Sequence, residues 1–454
     1  MRTPSRWASA RHPLIYEINT WPWLADLRAT AGTSVDLSSV PEQYWDTIAD
    51  AGFDAVWLMG VWERSPGGAA IALQDPDLVE TFQAVLPDWS PDDVVGSAYC
   101  IRDYVVDAHL GGRDGLAVAR SELAARGLAL LLDFVPNHVA PDHPWTATHP
   151  EYFVMDGAVP AKGKDPYFPA WADVVQLNAF SATLRDAMAQ TLCDIAGQCD
   201  GVRCDMAMLT INEVFARTWG DRVGAAPDQE YWPTIIGAVR ATHPGFGFIA
   251  EAYWDTEHAL QEQGFDFCYD KKLYDRLMDG DAAGVRAHLS SDPAYQERLV
   301  RFAENHDEPR LAAIADPARQ RAVAVATLTQ TGARLVHHGQ LEGRKIHVPV
   351  FLGRGPREEI DDDLASFYRS LLMMLHDSSF RSGQWTLCDA VPPLLAWCWE
   401  GERRWSVVVN LSDGPAAGRV SAPWGEWGIE LGAWGWQFSN VRPDRPSDAL
   451  PWAP

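Results

Sequence analysis

The chain has 454 residues, 47% of them hydrophobic, which is enough for a large packed core with an appendage and argues against disorder. Its 62 acidic against 37 basic side chains leave a net charge of −25, a surface that repels nucleic acid and anionic lipid and accommodates neutral substrates. Seven cysteines without a CxxC pair or metal-ligand spacing read as reduced thiols, so the expectation is a cytoplasmic protein with no metal and no cofactor.

The opening stretch, MRTPSRWASARHPLIYEINTW, is basic but lacks the apolar run of a signal peptide, and no later stretch approaches a membrane span. From there short apolar runs alternate with helical patterns. The predicted strands are LIYEI (14–18), FDAVWLM (53–59), LALLLDFV (128–135) and GVRCD (201–205). FGFIAE (246–251), FDFCY (265–269), RLVRFAE (298–304) and ARLVHH (333–338) follow. These runs are continuously apolar, as strands of a buried parallel sheet must be. Helical patterns such as GLAVARSELAARG (115–127) and SATLRDAMAQTLCDIAG (181–197) lie between them. The predicted fold is therefore α/β, a (β/α)8 TIM barrel with its active site at the C-terminal ends of the strands.

Two places break the repeat. After the third strand, residues 138–178 are rich in Pro, Trp, His and Asp with little helical period, a short inserted domain on the face that controls substrate access. Beyond residue 383 strands and turns alternate, as in RRWSVVVNLSDG and WGIELGAWGWQFSN. The expected division is a barrel over 1–382, including 138–178, and a C-terminal β-sandwich over 383–454.

Several strands finish on polar groups: Asp133 with Asn137 and His138 beyond it, Arg203 between Asp200 and Asp205, Glu251, and His306 with Asp307. A lone Asp after a strand is usually a helix cap. Three carboxylates on one rim call for another reason. Glycosidic hydrolysis uses two of them, one at the anomeric carbon and one to protonate the leaving oxygen. The 21 tryptophans offer platforms for the apolar faces of sugars, although most are expected to serve the core.

LLLDFVPNH, DGVRCDMAM, FIAEAYWD and FAENHDEPR, in that order, resemble the four conserved regions of the α-amylase family of glycoside hydrolases, family 13. GSAYCIRDYVVDAHLGG resembles the stretch after that family's second strand, and with the insertion and the β-domain the resemblance spans almost the whole chain. It implies that Asp205 is the nucleophile, Glu251 the general acid/base, and Asp307 the ligand of the sugar's 2- and 3-hydroxyls. It further implies that Arg203 holds Asp205 ionised, that His138 and His306 donate to the sugar, and that Tyr99 stacks beneath it. Asp133 and Asn137 would brace the rim.

The departures from the family pattern are equally informative. Starch-cleaving members commonly carry a Lys–His pair three and four residues after the nucleophile, where this chain has Met208 and Leu209. That histidine helps ligate a structural calcium, so the resemblance implies that this calcium site is absent or altered. Cys100 stands where many glucose-releasing members have an Asp. An apolar leaving-group side follows, with Met208 touching the leaving group.

Three readings result. The first is a retaining α-glycosidase that cleaves short α-glucosides or maltooligosaccharides by double displacement through a covalent glycosyl-enzyme. The second is an α-glucan transglycosylase, or a hydrolase specific for a glucosylated small solute such as glucosylglycerol. The third, a non-catalytic carbohydrate-binding protein, would be marked by loss of Asp205, Glu251 or Asp307, and all three are present.

Overall fold

The computed structural model describes Trp7 and residues 11–441. The end of the expected β-domain, 442–454, lies outside the described residues, as do residues 1–6 and 8–10 of the opening stretch.

Eight parallel strands close a barrel. They are β1 (Leu14–Asn19), β2 (Ala55–Met59), β3 (Ala129–Phe134), β4 (Gly201–Cys204), β5 (Gly247–Ala250), β6 (Phe267–Tyr269), β7 (Leu299–Arg301) and β8 (Ala333–His337). Each falls within a predicted run or overruns it by one residue. Successive strand side chains point to opposite faces, which divides every run into an inner and an outer file. The inner file contains Ile15, Trp57, Leu131, Ile249, Phe267 and Leu335, which pack together in the barrel interior. The outer file, with Val56, Leu58, Leu130, Leu132, Val202 and Phe248, joins the main core beneath the surrounding helices. Trp7 closes the lower end. A side chain at Gly247 would fall 2.0 Å from its indole, so this close approach requires glycine.

Helix α1 (Gly112–Ala125) and helix α2 (Ala182–Ala196) show how the outer layer forms. In α2 the Ser181 hydroxyl caps the helix by accepting from the Leu184 amide, and Leu184, Met188, Leu192 and Ile195 form one buried stripe. Burying each such side chain stabilises the fold by roughly 1.5–3 kcal/mol.

The link between β2 and β3 departs from the expected strand–helix unit. It holds an antiparallel ribbon of Trp62–Arg64 against Ile101–Val106 and two helices, Pro66–Ala72 and Pro76–Val85, ahead of α1. The ribbon strands are short and the helices are Pro-started, so no long period marks them. In the insertion, His138–Val139 pairs with Val175–Gln176. The Gln176 side-chain amide donates to both oxygens of Asn137 at 2.8 Å, so Asn137 braces this ribbon.

The C-terminal part is all-β. Strands β9 (Gln384–Leu387), β10 (Leu394–Glu400), β11 (Arg404–Asn410) and β14 (Trp436–Val441) make one antiparallel sheet, and β12 (Ala416–Ala422) pairs with β13 (Gly425–Leu431) in a hairpin. Ala396, Cys398 and Val408 of the sheet pack against Val420 and Ile429 of the hairpin. On the sheet's other face, fully buried Trp397 and Trp399 donate to the hydroxyl and carbonyl oxygens of Thr329. These tryptophans fasten the β-layer to the barrel. Among the described residues no helix is long and apolar enough to cross a membrane.

Candidate active site

The inner file of the barrel changes character at its C-terminal end, where Glu17, Trp57, Asp133, Arg203 and Tyr269 project inward. Arg203 is the hub. Its guanidinium carbon lies 5.5, 5.0 and 5.6 Å from the ring centres of Trp57, Tyr99 and Tyr269. Its Nη1 donates to Asp205 Oδ1 at 2.6 Å, and its Nη2 lies 3.0 Å from Glu251 Oε2 and 3.8 Å from Asp307 Oδ2. One buried cation thus meets three carboxylates from three strand ends. Burying an ion without such partners costs several kcal/mol, so the cluster stands or falls as a unit.

The three carboxylates differ in environment. Burial pushes the Glu251 carboxyl up to about 7, against the opposing pull of Arg203 and with the added repulsion of Asp205. Burial raises Asp205 as well, with the Arg203 bond pulling against it. Asp307 moves the other way. Burial would raise it, but His306 and Arg203 override that effect and hold it at about 2. Its side chain is also 42% exposed, accessible from the barrel mouth, whereas those of Asp205 and Glu251 are 7% and 4% exposed.

Glu251 is held by two groups that sequence reasoning did not single out for it. The Met206 amide donates to Oε2 at 2.5 Å and the Tyr253 hydroxyl donates to Oε1 at 2.8 Å. Met206 aims its amide there from a left-handed conformation, φ 43° and ψ 43°, which costs a non-glycine residue about 1–3 kcal/mol. The same turn corrects the expectation for Met208. Residues Ala207–Thr210 form a tight turn that buries Met208 and Leu209 in the core, so Met208 cannot touch a leaving group. Met206, half-buried, is the methionine that lines a pocket beside Glu251.

His306 sits between two acids. Its Nδ1 meets Glu17 Oε1 at 2.5 Å, and its Nε2 meets Asp307 Oδ2 at 3.1 Å and the Tyr99 hydroxyl at 2.6 Å. Burial alone would lower the imidazole, but Asp307 and Glu17 raise it to about 10 and keep it cationic. Tyr99 thereby joins the cluster through both its hydroxyl and its ring. His138 lies to the side, with its ring 5.2 Å from Trp171 and its Nδ1 3.3 Å from the Asn137 amide, and burial lowers it to about 4. Asp133 braces the rim by accepting from the Trp57 indole at 3.1 Å and the Gly60 amide at 2.7 Å. Asp200 lies at the opposite end of β4, where it binds Arg120 and the Leu130 amide, so it takes no part in the cluster.

No protein-family model matches the sequence. The chain is 26% identical to an α-amylase of Haloarcula japonica over 275 residues, 56% of this chain and 36% of the relative. It is 28% identical to an α-1,4-glucan:maltose-1-phosphate maltosyltransferase of Burkholderia pseudomallei over 189 residues, 40% of this chain and 15% of the relative. Matches to the curated relatives span less than half of their length. The cyclic α-maltosyl-(1→6)-maltose hydrolase of Arthrobacter globiformis superposes with a TM-score of 0.71 at 18% identity, covering 97% of this chain and 100% of that one. The fold is an α-amylase-like (β/α)8 barrel. The resemblance to α-amylase-family glycoside hydrolases therefore holds in both sequence and fold.

Proposed function

We propose that this protein is a retaining α-glycosidase acting on short α-glucosides or maltooligosaccharides. The observation that supports it best is the shared guanidinium. Arg203 touches Asp205 and Glu251 through its two terminal nitrogens, which favours the roughly 5–5.5 Å carboxyl separation used by retaining enzymes. Asp205 attacks the anomeric carbon and forms a glycosyl ester. Glu251, protonated up to about pH 7, gives its proton to the leaving oxygen and then, as carboxylate, takes one from the incoming water. Asp307, anionic beside the His306 cation, accepts from the sugar's vicinal hydroxyls. No cofactor enters these steps.

The relative from Burkholderia pseudomallei is named a transferase, and the pocket beside Glu251 is largely apolar. A second reading follows, in which an acceptor alcohol replaces water at the glycosyl-enzyme. The seven unpaired cysteines support a reducing, cytoplasmic setting.

Proton NMR of the first product formed from an α-glucoside tests the mechanism. Retention gives the α-anomer before mutarotation. Initial release of the β-anomer would contradict it.

A further inference from the structure

A pocket of about 360 Å³ opens beside Glu251, lined by Phe168, Met206, Tyr253 and Trp254 together with Lys271 and Lys272. Met206 and Tyr253 are the residues that hold the two Glu251 oxygens, so the pocket begins where the leaving oxygen would receive its proton. Its exposed wall is mainly aromatic and thioether, with Asp165, Glu257 and Asp275 beside the two lysines completing the lining. Phe168, 65% exposed, comes from the insertion, on a turn fixed by the Asp165 carboxylate, which accepts from the Tyr167 and Phe168 amides at 2.6 and 2.9 Å. Tyr167 packs edge-on against Trp254, with ring centres 4.7 Å apart. Trp254 and Asp255 are both left-handed, with φ of 59° and 66°, at consecutive non-glycine positions.

The two lysines and the phenol of this pocket are already engaged, and the Asp165 carboxylate is held by its own turn. Lys271 Nζ lies 2.5 Å from Asp275 and 3.1 Å from Glu308, and Lys272 is ion-paired with Asp255. The Tyr253 hydroxyl is given to Glu251. A sugar placed here would have to compete with these pairs for hydrogen bonds, whereas a flat apolar ring would meet aromatic faces and the Met206 sulfur without disturbing them.

We infer that this pocket is the leaving-group and acceptor site, and that it selects an aromatic aglycone or aromatic alcohol over a sugar, with Phe168 and Trp254 setting the preference. The step balances without a co-reactant. The C1–O bond breaks, Glu251 protonates the departing alkoxide oxygen, and Asp205 takes the anomeric carbon; the reverse sequence joins an aromatic alcohol to the glycosyl-enzyme.

This inference rests on the α-glycosidase reading, and its test separates the two. Turnover of α-glucosyl fluoride, which needs no occupant in the pocket, reports the reading alone. Ethyl and 2-phenylethyl α-glucosides release alkanols of similar acidity, so their kcat/KM ratio reports the ring. The expected ratio favours 2-phenylethyl by about tenfold or more, with maltose below it. In Phe168→Ala and Trp254→Ala the ratio is expected to fall toward one. Fluoride turnover with equal rates for the two alkyl glucosides, or with maltose preferred, would overturn the inference and leave the reading standing. Absence of fluoride turnover would overturn both.

Discussion

Glu17 Oε1 lies 2.5 Å from Nδ1 of His306, and both side chains are withdrawn from solvent, at 0% and 1% exposure. The pair joins the end of β1 to the loop after β7 across the barrel mouth. On its far side His306 meets Asp307 and Tyr99, and the carboxylates of Asp133 and Asp205 are near enough to feel its charge. Glu17 therefore positions the imidazolium that holds Asp307 as an anion.

Replacing Glu17 with Gln keeps the shape and removes the charge. His306 is raised to about 10, so its stabilising contribution is complete below the unfolded histidine value near 6.5 and is lost as pH rises through about 10. In Glu17→Gln the loss is expected at least about one pH unit lower, read from the His306 ring signals by NMR titration. A rise in KM larger than any fall in kcat should accompany it. An unchanged titration midpoint would show that Glu17 only fills space.

The pH profile of kcat/KM depends on Glu251. Its carboxyl is raised to about 7 and donates a proton, so activity should fall as pH rises through about 7. In Glu251→Gln that alkaline limb should disappear, with glycosylation slow on alkyl glucosides and largely restored, as a single burst of fluoride release, on α-glucosyl fluoride, whose leaving group needs no proton. Equal loss on both substrates would contradict the acid role.

Met206 separates backbone geometry from side-chain chemistry. Met206→Gly is expected to keep the amide bond to Glu251 and to relieve the left-handed strain, with thermal stability unchanged or higher by up to about 1 kcal/mol. Met206→Val places a β-branched residue where it is least tolerated, and should lower both stability and kcat. Equal melting temperatures and rates for the two variants would mean that the turn carries no strain.

All eight barrel strands were legible because buried parallel strands must be apolar on both faces, a signal that survives without any alignment. Asp133, Arg203, Asp205, Glu251 and Asp307 were legible because each ends or follows such a run. Glu17 was not, because a single acid inside the otherwise apolar run LIYEI carries no mark of which face it takes until the barrel closes and turns it inward. Tyr253 and Phe168 lie in irregular segments, where no period tells which side chain faces the cleft. Met208 was expected at the leaving group, but the left-handed turn after Asp205 buries it, and nothing in Met-Ala-Met-Leu marks that turn.

The nucleophile can be tested by removing the means to release it. The Glu251→Gln protein incubated with α-glucosyl fluoride should accumulate a glucosyl ester, because the fluoride leaves unaided while water is no longer activated. Intact-mass spectrometry followed by peptide mapping locates the added hexose. It is expected on Asp205, and to be missing from the Asp205→Asn, Glu251→Gln double variant. A hexose attached elsewhere, or fluoride release by the double variant at the rate of the single one, would contradict the assignment of Asp205 as nucleophile.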